Sequence, residues 1–121
     1  MHSVIFTPTF ERQAKTFGLS EDDMQLIAAI LASDPTIGDL MQGTGGLRKM
    51  RFARQGGGKS GGYRTVHYYA GDDVPIFLLE LIDKRQKANL SKAERNAVSK
   101  ELPLLVDDYR KGPNSLRRKT K

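Results

Sequence analysis

The sequence predicts an α+β fold in which two N-terminal helices and one C-terminal helix pack against a small, mainly antiparallel sheet. Apolar residues recur at helical spacing before residue 35, and a capped helical pattern returns after residue 90. Between them, three runs rich in β-branched and aromatic residues are separated by glycine-containing turns, which is typical of antiparallel strands. The chain has 121 residues, of which 38% are hydrophobic, so it can form one domain with a modest core.

The N-terminal part predicts a strand followed by two helices. Residues 2–6 are rich in β-branched and aromatic types and predict a short strand. Residues 9–17 predict a helix with Thr9 as its N-cap, and a second helix begins after the N-cap Ser20 and ends before Pro35. The apolar residues of the second helix predict its buried stripe: Met24, Ile27, Ala28 and Leu31.

The central part predicts the sheet. Residues 37–46 predict a short extended segment and a tight turn, and strands are predicted at 47–54, 63–69 and 76–82. The last of these runs is the most apolar, so we expect it to be the central strand.

Alternation along two of these strands predicts which side chains are buried. On the first strand, Met50 and Phe52 are expected to point into the core. The opposite face of that strand carries Lys49, Arg51 and Ala53. On the apolar strand, Glu80 marks the less apolar face. The residues expected to face the larger core from that strand are Phe77, Leu79 and Leu81.

The C-terminal part predicts a helix and a tail. Ser91 and Glu94 have the spacing of a capping box, in which each side chain binds the other residue's backbone N–H. Pro103 either kinks this helix or begins a second segment, because proline disturbs a helix interior. Residues 112–121 lack apolar periodicity and predict a flexible basic tail, so the folded domain is expected to span residues 1–111.

The charge balance favours a polyanionic partner. Twenty Lys and Arg residues against 14 Asp and Glu residues give a formal net charge of +6. The stretch from Gly46 to Arg64 contains no acid. Its basic residues are Arg48, Lys49, Arg51, Arg54, Lys59 and Arg64.

Several common classes of site and location are not expected. The chain has no cysteine, which excludes disulfides and zinc–thiolate sites. It has no apolar run near the roughly 18 residues that a membrane span needs. Because its N-terminus also lacks the pattern of a signal peptide, we expect a cytoplasmic protein that has no membrane partner.

Residues 53–64, ARQGGGKSGGYR, are close to a phosphate-binding loop without matching one. A Walker A loop needs a glycine five residues before Gly58 and a helix directly after the lysine and serine. Here Ala53 stands at the first position, and the glycines at 61–62 lead into a strand. We therefore expect a connection between strands and no nucleotide cofactor.

The strands on either side of this loop are predicted to pair as a hairpin, which makes their basic residues neighbours. Lys49 and Arg51 would then lie near the strand that carries Arg64 and His67. Basic residues are common on exposed strand faces, but the lack of acids in this segment favours an anion-binding surface.

Three segments together resemble a known family. GTGGLRKMRFA, GGYRTVHYY and LLELIDKRQKANLSKAERNAV resemble the RelE superfamily of toxins, and within it the HigB type, over roughly residues 3–102. The resemblance implies a small α+β toxin with a RelE-like fold that enters the ribosomal A site and cuts mRNA. It also implies a cognate HigA-like antitoxin with a helix-turn-helix domain, through which alone operator DNA would be bound.

The resemblance implies a set of site residues. The basic pair of the family's first hairpin strand matches Lys49 and Arg51, and the arginine that opens the next strand matches Arg64. His67 stands where HigB relatives often have tyrosine; it could transfer protons near neutral pH, or it could be a packed residue of the sheet. Tyr109 is the only late tyrosine. Further catalytic candidates, from DKRQK, are Lys84 and Arg85. The candidate RNA-binding residues are Arg48, Arg54, Lys59 and Lys87.

These residue types suit RNA cleavage. The 2′-OH of RNA can attack the adjacent phosphate, and arginine and lysine stabilise the negative charge that develops on it. Carboxylates at a recognisable metal-ligand spacing are absent from the sequence, so we expect a metal-independent endoribonuclease without a cofactor.

Two other functions remain open from the sequence. A toxin of the same fold could inhibit DNA gyrase, as the ParE branch does. A non-catalytic RNA-binding module would need aromatic side chains beside the cations to stack on bases, and Tyr63 and Tyr69 are the candidates.

Overall fold

Five strands and three helices form the described parts of the chain, which are residues 2–53, 62–83 and 91–111 of the computed structural model. The strands are β1 (Val4–Phe6), β2 (Asp39–Leu40), β3 (Leu47–Ala53), β4 (Gly62–Tyr68) and β5 (Ile76–Asp83). The helices are α1 (Pro8–Phe17), α2 (Glu21–Ser33) and α3 (Lys92–Arg110). The tail predicted at 112–121 lies outside the described residues.

The strands form one mixed sheet in the order β1-β5-β4-β3-β2. β1 runs parallel to β5, and the other neighbouring pairs are antiparallel. Together with the helices, this sheet confirms the predicted α+β class and its mainly antiparallel character. Within the described ranges, no helix is long and apolar enough to cross a membrane.

The N-cap of α1 is Thr7 and not Thr9, so this detail of the prediction was wrong. Thr7 Oγ1 accepts a hydrogen bond from the backbone N–H of Phe10 at 3.3 Å. Pro8 occupies the first helical position, where its fixed φ and missing N–H are favourable, and the helix therefore starts before Thr9. The Thr7 hydroxyl also donates to the carbonyl oxygen of Leu78 at 2.9 Å, which fastens the start of α1 to β5.

The predicted N-caps of the other two helices are confirmed, and both form capping boxes. Ser20 pairs with Asp23 at the start of α2, and Ser91 pairs with Glu94 at the start of α3. α3 continues through Pro103 as one helix, with the proline side chain exposed. The second segment considered at Pro103 is therefore not formed.

Each face of the sheet has its own hydrophobic cluster. On the face covered by α1 and α2, here the α1/α2 face, the buried residues are Phe10, Ala14, Ile27, Leu31, Met50, Phe52, Tyr63, Ile76, Leu78 and Leu81. On the opposite face, here the α3 face, the buried residues are Met41, Leu47, Val66, Val74, Phe77, Leu79, Ile82, Leu102 and Val106. The predicted burial of Met50, Phe52, Ile27 and Leu31 is confirmed.

A β-bulge in β5 changes the face on which Leu81 lies. Consecutive residues of β4 pair with Glu80 and Leu78, so β5 contains one extra residue at this point. Leu81 consequently packs on the α1/α2 face, whereas Leu79 packs on the α3 face. The prediction that these two leucines share one face was wrong, because simple alternation does not continue through a bulge.

Gln13 of α1 binds the chain at this bulge. Its Oε1 accepts a hydrogen bond from the backbone N–H of Leu81 at 2.7 Å, and its Nε2 donates to Glu80 Oε1 at 3.1 Å. One amide thus satisfies a backbone donor and a carboxylate acceptor, and it ties α1 to the central part of the sheet.

We expect the Leu79→Ala variant to have a free energy of unfolding lower by about 2–5 kcal/mol, because a buried leucine would leave a cavity. The matched control is Leu104→Ala on α3, where the side chain is 65% exposed and the change should stay within about 0.5 kcal/mol. Urea denaturation of both variants measures the difference. Equal stabilities for the two variants would contradict the burial of Leu79 on the α3 face.

Candidate functional site

A cleft with a volume of about 320 Å³ lies on strands β2, β3 and β4. We call it the cation cleft, and it is lined by Asp39, Lys49, Met50, Arg51 and Arg64. Three of the catalytic candidates from the sequence are therefore brought together at one place.

The pairing of β3 with β4 explains why these cations share a face. Arg51 lies directly opposite Arg64, and Lys49 lies two residues away from Arg51 on the same strand. Residues opposite each other in an antiparallel pair, and residues two apart on one strand, lie on the same face of the sheet. Leu47 and Val66 on this face belong to the cluster that α3 covers. The three cations therefore lie on the same face, beyond the part covered by α3.

Arg64 carries a donor that the described part of the protein leaves unsatisfied. Its side chain is partly buried, and its Nε is fully buried without a hydrogen-bond partner. An unsatisfied buried donor costs about 1–3 kcal/mol. The guanidinium of Arg51 faces it across the strands, and like charges directly opposite each other are also destabilising. An anion bound between them would offset the repulsion, since it carries the opposite charge and accepts hydrogen bonds from guanidinium groups.

His67 does not lie with these cations, which corrects the expectation that it joins them. It pairs with Arg48 on the α1/α2 face, and its ring is fully buried. Nε2 lies 3.0 Å from the carbonyl oxygen of Pro35, which can only accept, so Nε2 carries the proton in the neutral ring. Burial lowers the pKa of His67 below its usual value of 6.5, and the hydrogen bond to Pro35 opposes only part of this effect.

Arg48 also lies on the α1/α2 face, so this predicted RNA contact does not line the cation cleft. Its Nη1 donates to the carbonyl oxygen of Thr36 at 3.0 Å and to that of Gly38 at 3.4 Å. These contacts give Arg48 a local role, because they hold the segment that leads into β2.

The three tyrosine candidates lie away from the cation cleft. Tyr63 is buried and packs against Phe17 on the α1/α2 face, and Tyr69 donates to Asp72 beyond the end of β4. Tyr109 packs edge-on against Phe77 at a ring-centroid distance of 6.4 Å. The candidates outside the described residues are Arg54, Lys59, Lys84, Arg85 and Lys87.

Asp39 is the lining residue that the sequence analysis missed. It lies opposite Lys49 in the β2–β3 pair, and its side chain therefore belongs to the same face as the cations. The sequence predicted an extended segment just before the basic strand. Which of its residues lies opposite Lys49 cannot be derived without the position of the turn. Within the described ranges, no group of three or more His, Cys, Asp or Glu residues could hold a metal ion.

Comparison with known proteins finds a family of toxins and solved structures of similar fold. The family model described as "RelE toxin of RelE / RelB toxin-antitoxin system" matches residues 3–110. Among solved structures, a double arginine-to-alanine mutant of the E. coli toxin RelE in the free state is similar, with a TM-score of 0.52 and 14% sequence identity. The similarity covers 71% of this chain and 86% of that chain, and it concerns the fold.

The lowered pKa of His67 predicts how stability depends on pH. The unfolded chain, in which histidine titrates near 6.5, binds this proton more readily than the folded chain does. The free energy of unfolding should therefore be highest above about pH 6.5 and fall as the pH is lowered from there. Urea denaturation at several pH values measures the slope.

The variant His67→Gln should flatten this slope, because its amide can still donate to Pro35 without titrating. His2→Gln is the control, since the His2 ring is not fully buried. An unchanged slope in His67→Gln would show that another group causes the pH dependence.

Proposed function

Because the chain belongs to the RelE toxin family of toxin–antitoxin systems, we propose that it is a HigB-type toxin that cuts mRNA in the ribosomal A site and thereby inhibits translation. The single observation that carries this proposal is the cation cleft, in which Lys49, Arg51 and Arg64 surround a space open to an anion. The folded unit for this activity would be residues 1–111, which includes the family match and every described element.

The reaction proposed is attack of the RNA 2′-OH on the adjacent phosphate, with no metal ion or cofactor taking part. Negative charge increases on the phosphate oxygens in the transition state, and preorganised cations stabilise that charge more than they stabilise the substrate. Arg64 is suited to this task because it lines the cation cleft and carries a planar donor group that can bind two phosphate oxygens. Lys49 and Arg51 would hold the flanking backbone phosphates.

The two other functions considered from the sequence are less well supported. A purely RNA-binding surface was expected to place Tyr63 and Tyr69 beside the cations, yet Tyr63 is buried on the opposite face. Inhibition of DNA gyrase gives no role to the cation cleft. Both functions remain distinguishable by experiment, because neither leads to cuts in translated mRNA.

We expect Arg64→Ala to lower the rate of mRNA cleavage on programmed ribosomes by about 10²–10³-fold, because it removes donors aimed at the developing charge. Its free energy of unfolding should not fall, because the variant removes a buried donor without a partner and the repulsion from Arg51. Arg64→Lys should recover little activity, since lysine keeps the charge but lacks the planar two-pronged donor. Arg12→Ala on α1 is the matched control, because Arg12 is exposed and distant in sequence from the cleft.

Single-turnover cleavage, with free RNA as a second substrate, measures these rates. A stable Arg64→Ala protein that cuts at the wild-type rate would remove Arg64 from the site. Damage to DNA without mRNA cuts after induction would favour gyrase inhibition. Tight RNA binding without any cleavage would favour the non-catalytic module.

The partner of the toxin is an antitoxin, as the family implies. We propose a HigA-like antitoxin with a helix-turn-helix domain, which alone would contact operator DNA, while the toxin itself contacts the ribosome and its mRNA in the cytoplasm. An acidic antitoxin would be attracted by the net charge of +6. The exposed Leu104 on α3 offers apolar surface for the same partner.

The association rate of toxin and antitoxin should fall as the salt concentration rises, because screening weakens steering between opposite charges. Stopped-flow mixing at several ionic strengths measures this rate. Arg51→Glu should lower the rate at low salt, since it reverses a charge on the exposed part of the cleft. A salt-independent rate would show that charge steering does not govern the encounter.

A further inference from the structure

The cation cleft contains one acid whose presence the binding of phosphate does not explain. Asp39 lines the cleft with three cations and lies directly opposite Lys49. A carboxylate at this place repels the phosphates that the cations attract. Asp39 also offsets part of the repulsion among the three cations, and the same carboxylate can accept a proton during the reaction.

The position of Asp39 depends on two features of the neighbouring chain. Gly38 has a φ of 92°, and a Cβ at this position would collide with the backbone carbonyl of Lys49. Only glycine therefore allows the chain to approach β3 this closely. On the other face of the sheet, Arg48 donates to the carbonyl oxygens of Thr36 and Gly38. These hydrogen bonds hold the segment before Asp39 close to β3.

The proposed reaction needs a proton acceptor in the cleft. The attacking 2′-OH must lose its proton, and neither a guanidinium, as in Arg51 and Arg64, nor the ammonium form of a lysine such as Lys49 has an acceptor site. His67 is buried on the opposite face of the sheet, and Tyr109 packs against Phe77. A carboxylate is ionised at neutral pH and can accept a proton. Among the described residues that line the cleft, Asp39 is the one with a carboxylate.

We propose that Asp39 takes the proton from the attacking 2′-OH, and that Gly38 and Arg48 position its carboxylate beside Lys49. This inference rests on the proposed ribonuclease function. The 2′-oxygen forms a bond to phosphorus while its proton passes to Asp39, and the bond from phosphorus to the 5′-oxygen breaks. The products are a 2′,3′-cyclic phosphate and a 5′-oxygen that takes a proton from water. The resulting hydroxide is neutralised when the Asp39 carboxyl returns its proton.

The first test compares Asp39→Asn with the wild-type toxin in single-turnover cleavage on programmed ribosomes. Loss of a positioned general base should lower the rate by about 10²–10⁴-fold, with ribosome affinity equal to or higher than that of the wild type. Asp22→Asn on α2, an exposed aspartate, is the matched control. If Asp39→Asn cuts as fast as or faster than the wild type, Asp39 only repels RNA and the proposal is overturned.

Chemical rescue separates a proton acceptor from a structural residue. The smaller variant Asp39→Ala should be slow, and added formate or acetate should raise its rate with increasing concentration. The same salts should not raise the rates of the wild type or of Arg64→Ala. Failure of both carboxylates to raise the rate of Asp39→Ala would overturn the role as base.

Arg48→Ala tests the positioning. Loss of its hydrogen bonds to Thr36 and Gly38 should lower the maximal cleavage rate with little change in the ribosome concentration for half-maximal rate. If Arg48 contacted RNA instead, the variant would raise the ribosome concentration for half-maximal rate and leave the maximal rate nearly unchanged. That result would overturn the positioning role. If the wild type cuts no message at all, the proposed function itself fails, whereas an active wild type with an unaffected Asp39→Asn variant refutes only this inference.

Discussion

The pairing of β3 with β4 is the constraint on which both the core and the cation cleft depend. The same register that sets Phe52 opposite Tyr63 in the core sets Arg51 opposite Arg64 on the other face. A shift of one residue along one strand would move its core residues to the opposite face. The burial of these aromatic rings therefore fixes the register, and the repulsion between the two guanidinium groups is tolerated as a consequence.

A second set of contacts decides where the open part of the α3 face begins. Thr44 Oγ1 donates to the carbonyl oxygen of Met41 and accepts from the backbone N–H of Leu47, which shapes the turn before β3. Ser99 of α3 donates to the carbonyl oxygen of Thr44 at 2.7 Å. At the C-terminal end of α3, Arg110 forms a two-pronged ion pair with Asp73. These contacts hold α3 near its middle and at its C-terminal end, and the cations lie beyond the part of the sheet that it covers.

The sequence predicted the features that depend on neighbouring residues. Capping boxes, strand positions and the burial of Met50 and Phe52 follow from local spacing, and all are confirmed. The face of Leu81 was not predictable in the same way, because a bulge arises from the pairing of two strands and leaves no local pattern. The face on which His67 lies follows from the sequence, because His67 is three positions after Arg64 on the same strand. Strand residues an odd number of positions apart point to opposite faces of the sheet.

The two faces of β3 and β4 carry polar side chains with different roles. On the α1/α2 face, Arg48 binds carbonyl oxygens and the buried His67 lies near Pro35, so polar side chains there hold the chain that leads to β2. On the α3 face, Arg51 and Arg64 line the cleft proposed to bind an RNA phosphate. A cluster of like charges needs rigid support, because mobile cations would move apart and lose the alignment on which preorganised stabilisation depends. In the proposed function, the residues on the α1/α2 face would therefore act by position and not by contact with RNA.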